Sequence, residues 1–217
     1  MMSFITFEGV EGCGKTTQIR LLADALKQAG EKVLLTREPG GCPISDKIRA
    51  ILLDAQNSEM TPKAELLLYA AARAQHIDEV IRPALKSGNI VLCDRFTDAT
   101  VAYQGFGRGL DQNLITVLNE TATADFRPDL TVLIDCPVET GLERAIARIE
   151  AGTAADSNHL REERFEQESL QFHQRVRNGY LHIAAASPGR FIVIDGKESV
   201  DVIAANIFSA LSARIKN

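Results

Sequence analysis

The sequence predicts an α/β fold, a five-stranded parallel sheet between two layers of helices with a small inserted segment. Two observations carry that prediction. Five short apolar, β-prone runs alternate with amphipathic helical patterns along the chain, as expected for a parallel sheet covered on both faces. The first run passes directly into a glycine-rich stretch and then into a helical pattern. With 217 residues and 45% apolar content, the chain can bury one good core, so residues 1–217 read as a single domain.

Taken in order, Phe4, Ile5 and Phe7 form the first strand, and a helix predicted over 16–29 stops at Gly30. A strand at 32–36 (KVLLT) leads into REPGG (37–41), then into a helix over 44–54 with Ile44, Ile48, Ile51 and Leu52 on one side. Thr61 and Pro62 suit the N-cap and N1 positions of the next helix. That helix runs through LLLYAAARAQ, with a kink or restart expected at Pro83 before Gly88. IVLC (90–93) is a buried strand ending in Asp94, followed by helical stretches at 98–104 and 111–123. LTVLID (130–135) is a strand and 138–150 a helix. The polar segment 151–163 is weakly patterned; 164–186 reads as helix, 191–195 (FIVID) as strand and 199–215 as a closing helix. There is no internal repeat and no low-complexity tract.

Gly9-Val10-Glu11-Gly12-Cys13-Gly14-Lys15-Thr16 matches G-x-x-x-x-G-K-[ST] in the strand-to-helix setting that the motif requires. This makes the predicted fold P-loop NTPase-type, a three-layer α/β/α sandwich. Glycines let the backbone turn its N–H groups toward phosphate oxygens, and the following helix presents its positive end to the same anion. Lys15 would reach the β and γ phosphates and the Thr16 hydroxyl would ligate Mg²⁺, with Thr17 completing the ATP-binding stretch.

A net charge of −5 argues against a nucleic-acid footprint over the surface. The N-terminus lacks a signal-peptide pattern, and no apolar run approaches the ~20 residues that cross a bilayer. Cys13, Cys42, Cys93 and Cys136 form no C-x-x-C, so neither a disulfide framework nor a zinc site is suggested. The expectation is a cytoplasmic enzyme.

Ligands of such sheets bind beyond the carboxyl ends of the strands, where the phosphate loop, Arg37-Glu38 and Asp94-Arg95 are all expected to converge. Asp94 occupies the place of a Walker-B acid able to hold Mg²⁺, although a strand-end Asp also starts turns. Arg37, Arg49 and Arg95 are basic groups for the same rim; Arg49 reads equally as a helix-surface arginine in water. Tyr69 and Arg73, four residues apart, share a helix face. They could stack a base and bond its edge, or form a core-edge tyrosine with a snorkelling arginine. Arg144 and Arg148 precede the polar segment, and Arg161 and Arg164 end it. Arginines bracketing such a segment suit a lid over polyphosphate, here 148–164.

FEGVEGCGKTT, REPGG, LLLYAAARAQ, DRFTDATVAYQGFGRG and RFEQES together resemble the bacterial thymidylate kinase family over essentially the whole chain. The resemblance implies an enzyme that makes dTDP from dTMP with ATP and Mg²⁺, in dTTP synthesis. It implies that Glu11 meets the sugar 3′-hydroxyl, Arg95 holds the acceptor phosphate and Arg73 reads the thymine edge. It further implies that Tyr69 stacks on the base, Thr100 bonds it, Tyr103 crowds the 2′ position, and Glu38 and Gln104 belong to the same pocket. Arg144 would lie on adenine, and Arg148 would be the catalytic lid arginine, with Arg161 and Arg164 as the alternatives. A homodimer through helices including 98–104 is also implied. Tyr69 stands where the family usually has Phe, and Phe96 follows the DR pair in place of Tyr or His.

Phosphoryl transfer asks mainly for alignment and charge neutralisation, which gives Lys15, Mg²⁺ on Thr16, the loop amides and a lid arginine the donor, gives Arg95 with Arg37 or Arg49 the acceptor, and requires no general base. With what the resemblance implies, the catalytic set is Lys15, Arg95, Arg148 and Glu11. A kinase for another nucleoside monophosphate is one alternative, and a P-loop switch or ATPase is another. No N-K-x-D is present, and two groups of basic residues imply two phosphorylated ligands.

Overall fold

The computed structural model describes residues 3–124, 126–150 and 164–215, without the side chains of 148–150 and 213–215. Predictions for 151–163, including Arg161, and for the Arg148 side chain lie outside the described residues.

The strands are β1 (Phe4–Glu8), β2 (Val33–Arg37), β3 (Ile90–Asp94), β4 (Leu130–Asp135) and β5 (Phe191–Asp195). They form one sheet in the order β2-β3-β1-β4-β5, parallel at every pairing. This is the predicted α/β sheet. Continuous burial holds in the centre, where all of β1 is buried, while edge residues Leu35 and Val193 are exposed.

Side chains alternate across β1. Ile5 and Phe7 join Ile19 and Leu22 of α1 (Lys15–Gln28) and Ile203 and Ile207 of α9 (Val200–Ile215) in one apolar cluster. Phe4, Thr6 and Glu8 point the other way. There Phe4 packs with Ile77, Ile81 and Phe96, Thr6 bonds Thr131 across the sheet, and Glu8 meets Tyr180 of α8 (Leu170–Ala186).

The register puts Phe7, Asp94 and Arg37 in one row. The ladder continues past it, with Arg95 N–H donating to Phe7 O and Glu38 N–H to Asp94 O, both at 2.9 Å. The three predicted ligand-binding stretches therefore leave the sheet side by side.

Helices α2 (Pro43–Leu53) and α3 (Pro62–His76) lie where expected, and the Thr61 hydroxyl caps α3 by accepting from Ala64 N–H. Near Pro83 the chain passes through a π-helical turn at Ile77–Ile81 before α4 (Arg82–Lys86). Proline has no N–H for the ladder, and the wider turn absorbs the mismatch. The stretch predicted at 98–104 is likewise a short α5 (Thr97–Thr100) followed by a π segment at Val101–Gly107. Then come α6 (Gln112–Thr123), capped by Asp111, and α7 (Val138–Glu150). The helix predicted from 164 begins six residues later, because the Ser169 hydroxyl accepts Phe172 N–H as N-cap. Residues 164–168 form turns instead.

Candidate active site

One cavity of about 870 Å³ opens beyond the carboxyl ends of the strands, within the range of a ligand pocket. It is lined by residues 11–17 of the phosphate loop, Arg37, Glu38, Arg49, Tyr69, Arg73, Asp94, Arg95, Thr100, Tyr103, Gln104 and Arg144. The geometry thus brings nearly all the predicted residues together.

In the phosphate loop, Gly12 has φ 64°. A Cβ there would lie 1.9 Å from Gly141 O of α7, so this turn needs glycine. Lys15 is buried and donates to the loop's own carbonyls, Gly9 O at 3.0 Å and Val10 O at 2.9 Å, with Cys13 Sγ at 3.5 Å. The Val10 and Cys13 side chains are in the core, which leaves their backbone to face a ligand. Thr16 Oγ1 donates to Asp94 Oδ2 at 3.1 Å. That pairs the two predicted metal-binding oxygens.

Arg95 has φ 70°, unusual for a side-chain-bearing residue. Its guanidinium lies over the Tyr103 ring, 4.7 Å from the centroid. Nη2 donates to Glu11 Oε1 and Nη1 to the Tyr180 hydroxyl, each at 3.1 Å. The Tyr103 hydroxyl also donates to Glu11 Oε1, and His173 Nδ1 lies 3.3 Å from Oε2. Burial alone would raise the Glu11 pKa; the His173 contact and the Arg95 and Lys15 charges outweigh it, holding the carboxyl at about 2. Glu8 runs opposite. Burial, reinforced by the Asp98 charge, pushes it up to about 8 even though Tyr180 and Phe96 N–H donate to it.

Arg73 is buried, which excludes the snorkelling reading. Nε donates to Glu38 Oε2 at 2.7 Å, Nη1 to Asn119 Oδ1 at 2.8 Å, and Nη2 to Phe96 O and Thr100 Oγ1 at 3.0 Å. Among the described residues this leaves one Nη1 N–H for a ligand. Glu38 also contacts His76 Nδ1 at 3.1 Å, and His76 Nε2 is 2.6 Å from Thr36 Oγ1. A Cβ on Gly41 would lie 2.4 Å from that His76 nitrogen. The second glycine of REPGG makes room for the support of Arg73. Glu38 is thus a buried prop for Arg73. Burial, with Glu65 nearby, raises the Tyr69 pKa, so the phenol in the cavity wall is neutral.

Arg37 pairs with Asp46 at 3.2 Å and is half-exposed, while Arg49 donates to Pro39 O at 2.9 Å. Gln104 Nε2 donates to Glu65 Oε1 at 2.7 Å, which turns its amide away from free rotation in the pocket. Arg144 Nη1 reaches Gly196 O at 3.5 Å. Arg164 is buried, bonded to Leu52 O and 2.7 Å from Glu65 Oε2. These contacts commit the Arg164 guanidinium to the interior.

Sequence reasoning missed Glu8, His76, Asn119, His173 and Tyr180. A weak signal existed for the α8 pair. His173 and Tyr180, seven residues apart with Val176 between them, are polar members of an otherwise apolar helix face.

A family model described as thymidylate kinase matches residues 7–207. A thymidylate kinase of Citrifermentans bemidjiense is 65% identical over 99% of this chain and 93% of its own. That of Geotalea daltonii is 63% identical over 99% of both chains. The crystal structure of thymidylate kinase from Ehrlichia chaffeensis superposes with a TM-score of 0.75 at 35% identity, covering 96% of this chain and 97% of that one. With the phosphate loop, the paired Thr16 and Asp94, the buried Arg73 and the half-buried Arg95 all facing one cavity, and with relatives matching over nearly the whole chain, the chain belongs to the thymidylate kinase family.

Proposed function

We propose that the chain transfers the γ-phosphoryl group of ATP to a phosphate oxygen of dTMP, giving dTDP and ADP on the way to dTTP. The new P–O bond forms as the bond to the β-phosphate oxygen breaks, and ADP leaves. One observation carries the reading: a single cavity joins the phosphate loop to two separately anchored arginines, Arg95 and Arg73. A cavity of that kind suits a donor and an acceptor held end to end.

On the donor side, the amides of 9–17 would hold ATP phosphates, with Arg144 beside the adenine. Lys15 would exchange its contacts with Gly9 O and Val10 O for phosphate oxygens. Thr16 and Asp94 offer hard oxygen ligands 3.1 Å apart, and no cluster of three or more His, Cys, Asp or Glu side chains suited to a metal occurs among the described residues. That set fits Mg²⁺, which takes one or two protein oxygens plus substrate phosphates. When bound, Mg²⁺ would neutralise charge on the transferring group. A lid over 148–164, with Arg148 or Arg161, would exclude water and add positive charge.

On the acceptor side, Arg95 would hold the dTMP phosphate, assisted by Arg37 and Arg49. Glu11 would receive the 3′-hydroxyl and Tyr103 would crowd the 2′ position. Tyr69 and Thr100 would take the base, with Arg73 bonding its edge and Glu38 and Gln104 completing that wall. No general base is needed, because a phosphate acceptor is already ionised. We place the enzyme in the cytoplasm as a homodimer of single-domain chains. No helix among the described residues is long and apolar enough to cross a membrane. The 98–104 stretch is packed against α8 within the chain.

A coupled ADP-release assay with ATP, Mg²⁺ and each nucleoside monophosphate tests the reading beside Arg73→Ala. Turnover with dTMP alone, reduced at least a hundredfold in the variant, is the expected outcome. Comparable turnover with UMP or AMP would discard the thymine pocket, and ADP release independent of acceptor would favour an ATPase.

A further inference from the structure

Glu8 has no part in the chemistry above, yet it is a fully buried carboxylic acid between the phosphate loop and Arg95. Oε1 accepts Phe96 N–H at 2.7 Å, fixing the peptide that follows Arg95. Oε2 accepts the Tyr180 hydroxyl proton at 2.8 Å, and the same hydroxyl oxygen accepts Arg95 Nη1–H at 3.1 Å. One side chain thus holds Arg95 at both ends. It is also the residue immediately before Gly9, where the donor loop begins.

We infer that Glu8 and Tyr180 are positioning residues that fix the Arg95 guanidinium relative to the phosphate loop, and so set the distance between acceptor phosphate and donor. Arg95 needs such support. Its backbone is in the left-handed region, and a long guanidinium side chain keeps many rotamers unless anchored. Tyr103 offers only a ring face, and Glu11 is shared with Tyr103 and His173. Tyr180 is different. Its ring is 1% exposed and its hydroxyl both accepts from Arg95 and donates to Glu8, so it cannot rotate without breaking both bonds.

The inference rests on Arg95 as the acceptor-phosphate arginine, and the test separates the two. Calorimetry on the full chain compares binding of dTMP with binding of thymidine, which has the same base and sugar but no phosphate. In Tyr180→Phe we expect dTMP affinity to fall tenfold or more, the scale of one hydrogen bond to a charged group. Thymidine affinity and the KM for ATP stay as in the wild type, while kcat falls with the loss of alignment. A merely structural tyrosine would weaken both ligands alike. Arg95→Ala is the control. If it leaves the preference for dTMP over thymidine intact, the acceptor reading itself fails; if it abolishes the preference and Tyr180→Phe preserves it, only the positioning role is overturned. Should Tyr180→Phe not fold, Glu8→Gln is read by the same ratio: a reduced preference supports the role and an unchanged one overturns it.

Discussion

Glu8 and Glu11 stand three residues apart and are driven in opposite directions by their surroundings. Burial, with the Asp98 charge, raises Glu8 to about 8. Its folded form keeps a proton that the unfolded chain gives up near the ordinary carboxylate range. Its contribution to stability is therefore complete at acid pH and is lost as pH rises from about 4.5 to 8. Glu11, held at about 2, contributes above about 4.5 and loses that contribution as pH falls toward 2. Thermal melts at a series of pH values check both signs. The Tm of Glu8→Gln should gain on the wild type steadily between pH 4.5 and 8. The deficit of Glu11→Gln should shrink below pH 4. Differences that stay flat across those windows would contradict the assigned environments.

At the scale of elements, the turns before α8 are held by one acid. Glu65 of α3 is wholly buried, receives Gln104 and Arg108, and faces Arg164. Arg108 in turn donates to Glu168. Removing Glu65 takes from two largely buried guanidinium groups the carboxylate they share, a change that costs roughly 3–5 kcal/mol. Glu65→Ala should lose about that much in denaturant unfolding; a loss below ~1 kcal/mol would mean that Arg108 and Arg164 find other partners. This anchor explains where prediction succeeded and where it overran. Strands and the phosphate loop were legible because alternation, apolar runs and glycine turns are written locally. The start of α8 was not. Residues 164–168 carry a helical pattern, but Arg164 is committed to Glu65 and Leu52, and Ser169 begins the helix with its own cap. The supports of the two arginines were hidden for a related reason. Tyr180 acquires its meaning from Glu8, 172 residues away, and Asn119 from Arg73, 46 residues away. Periodicity records that such positions face inward, not whom they meet.

At the scale of the whole molecule, donor and acceptor halves share one sheet and one ionised network. The row Phe7, Asp94, Arg37 ties the phosphate loop, Asp94 and REPGG to adjacent strands. Glu11 belongs to the loop yet pairs with Arg95 of the acceptor side at 3.1 Å. Neither half can unfold while the other keeps these contacts, so the chain should melt in one cooperative transition. ATP with Mg²⁺ and dTMP should each raise that same transition, by about 2.7 kcal/mol at a free concentration a hundred times the Kd. Differential scanning calorimetry with each ligand in turn decides the matter. A second transition, or one that responds to dTMP but not to ATP, would mean that the two sites sit on separately folding units. The Glu11 to Arg95 pair would then be a contact between them and not part of a common core.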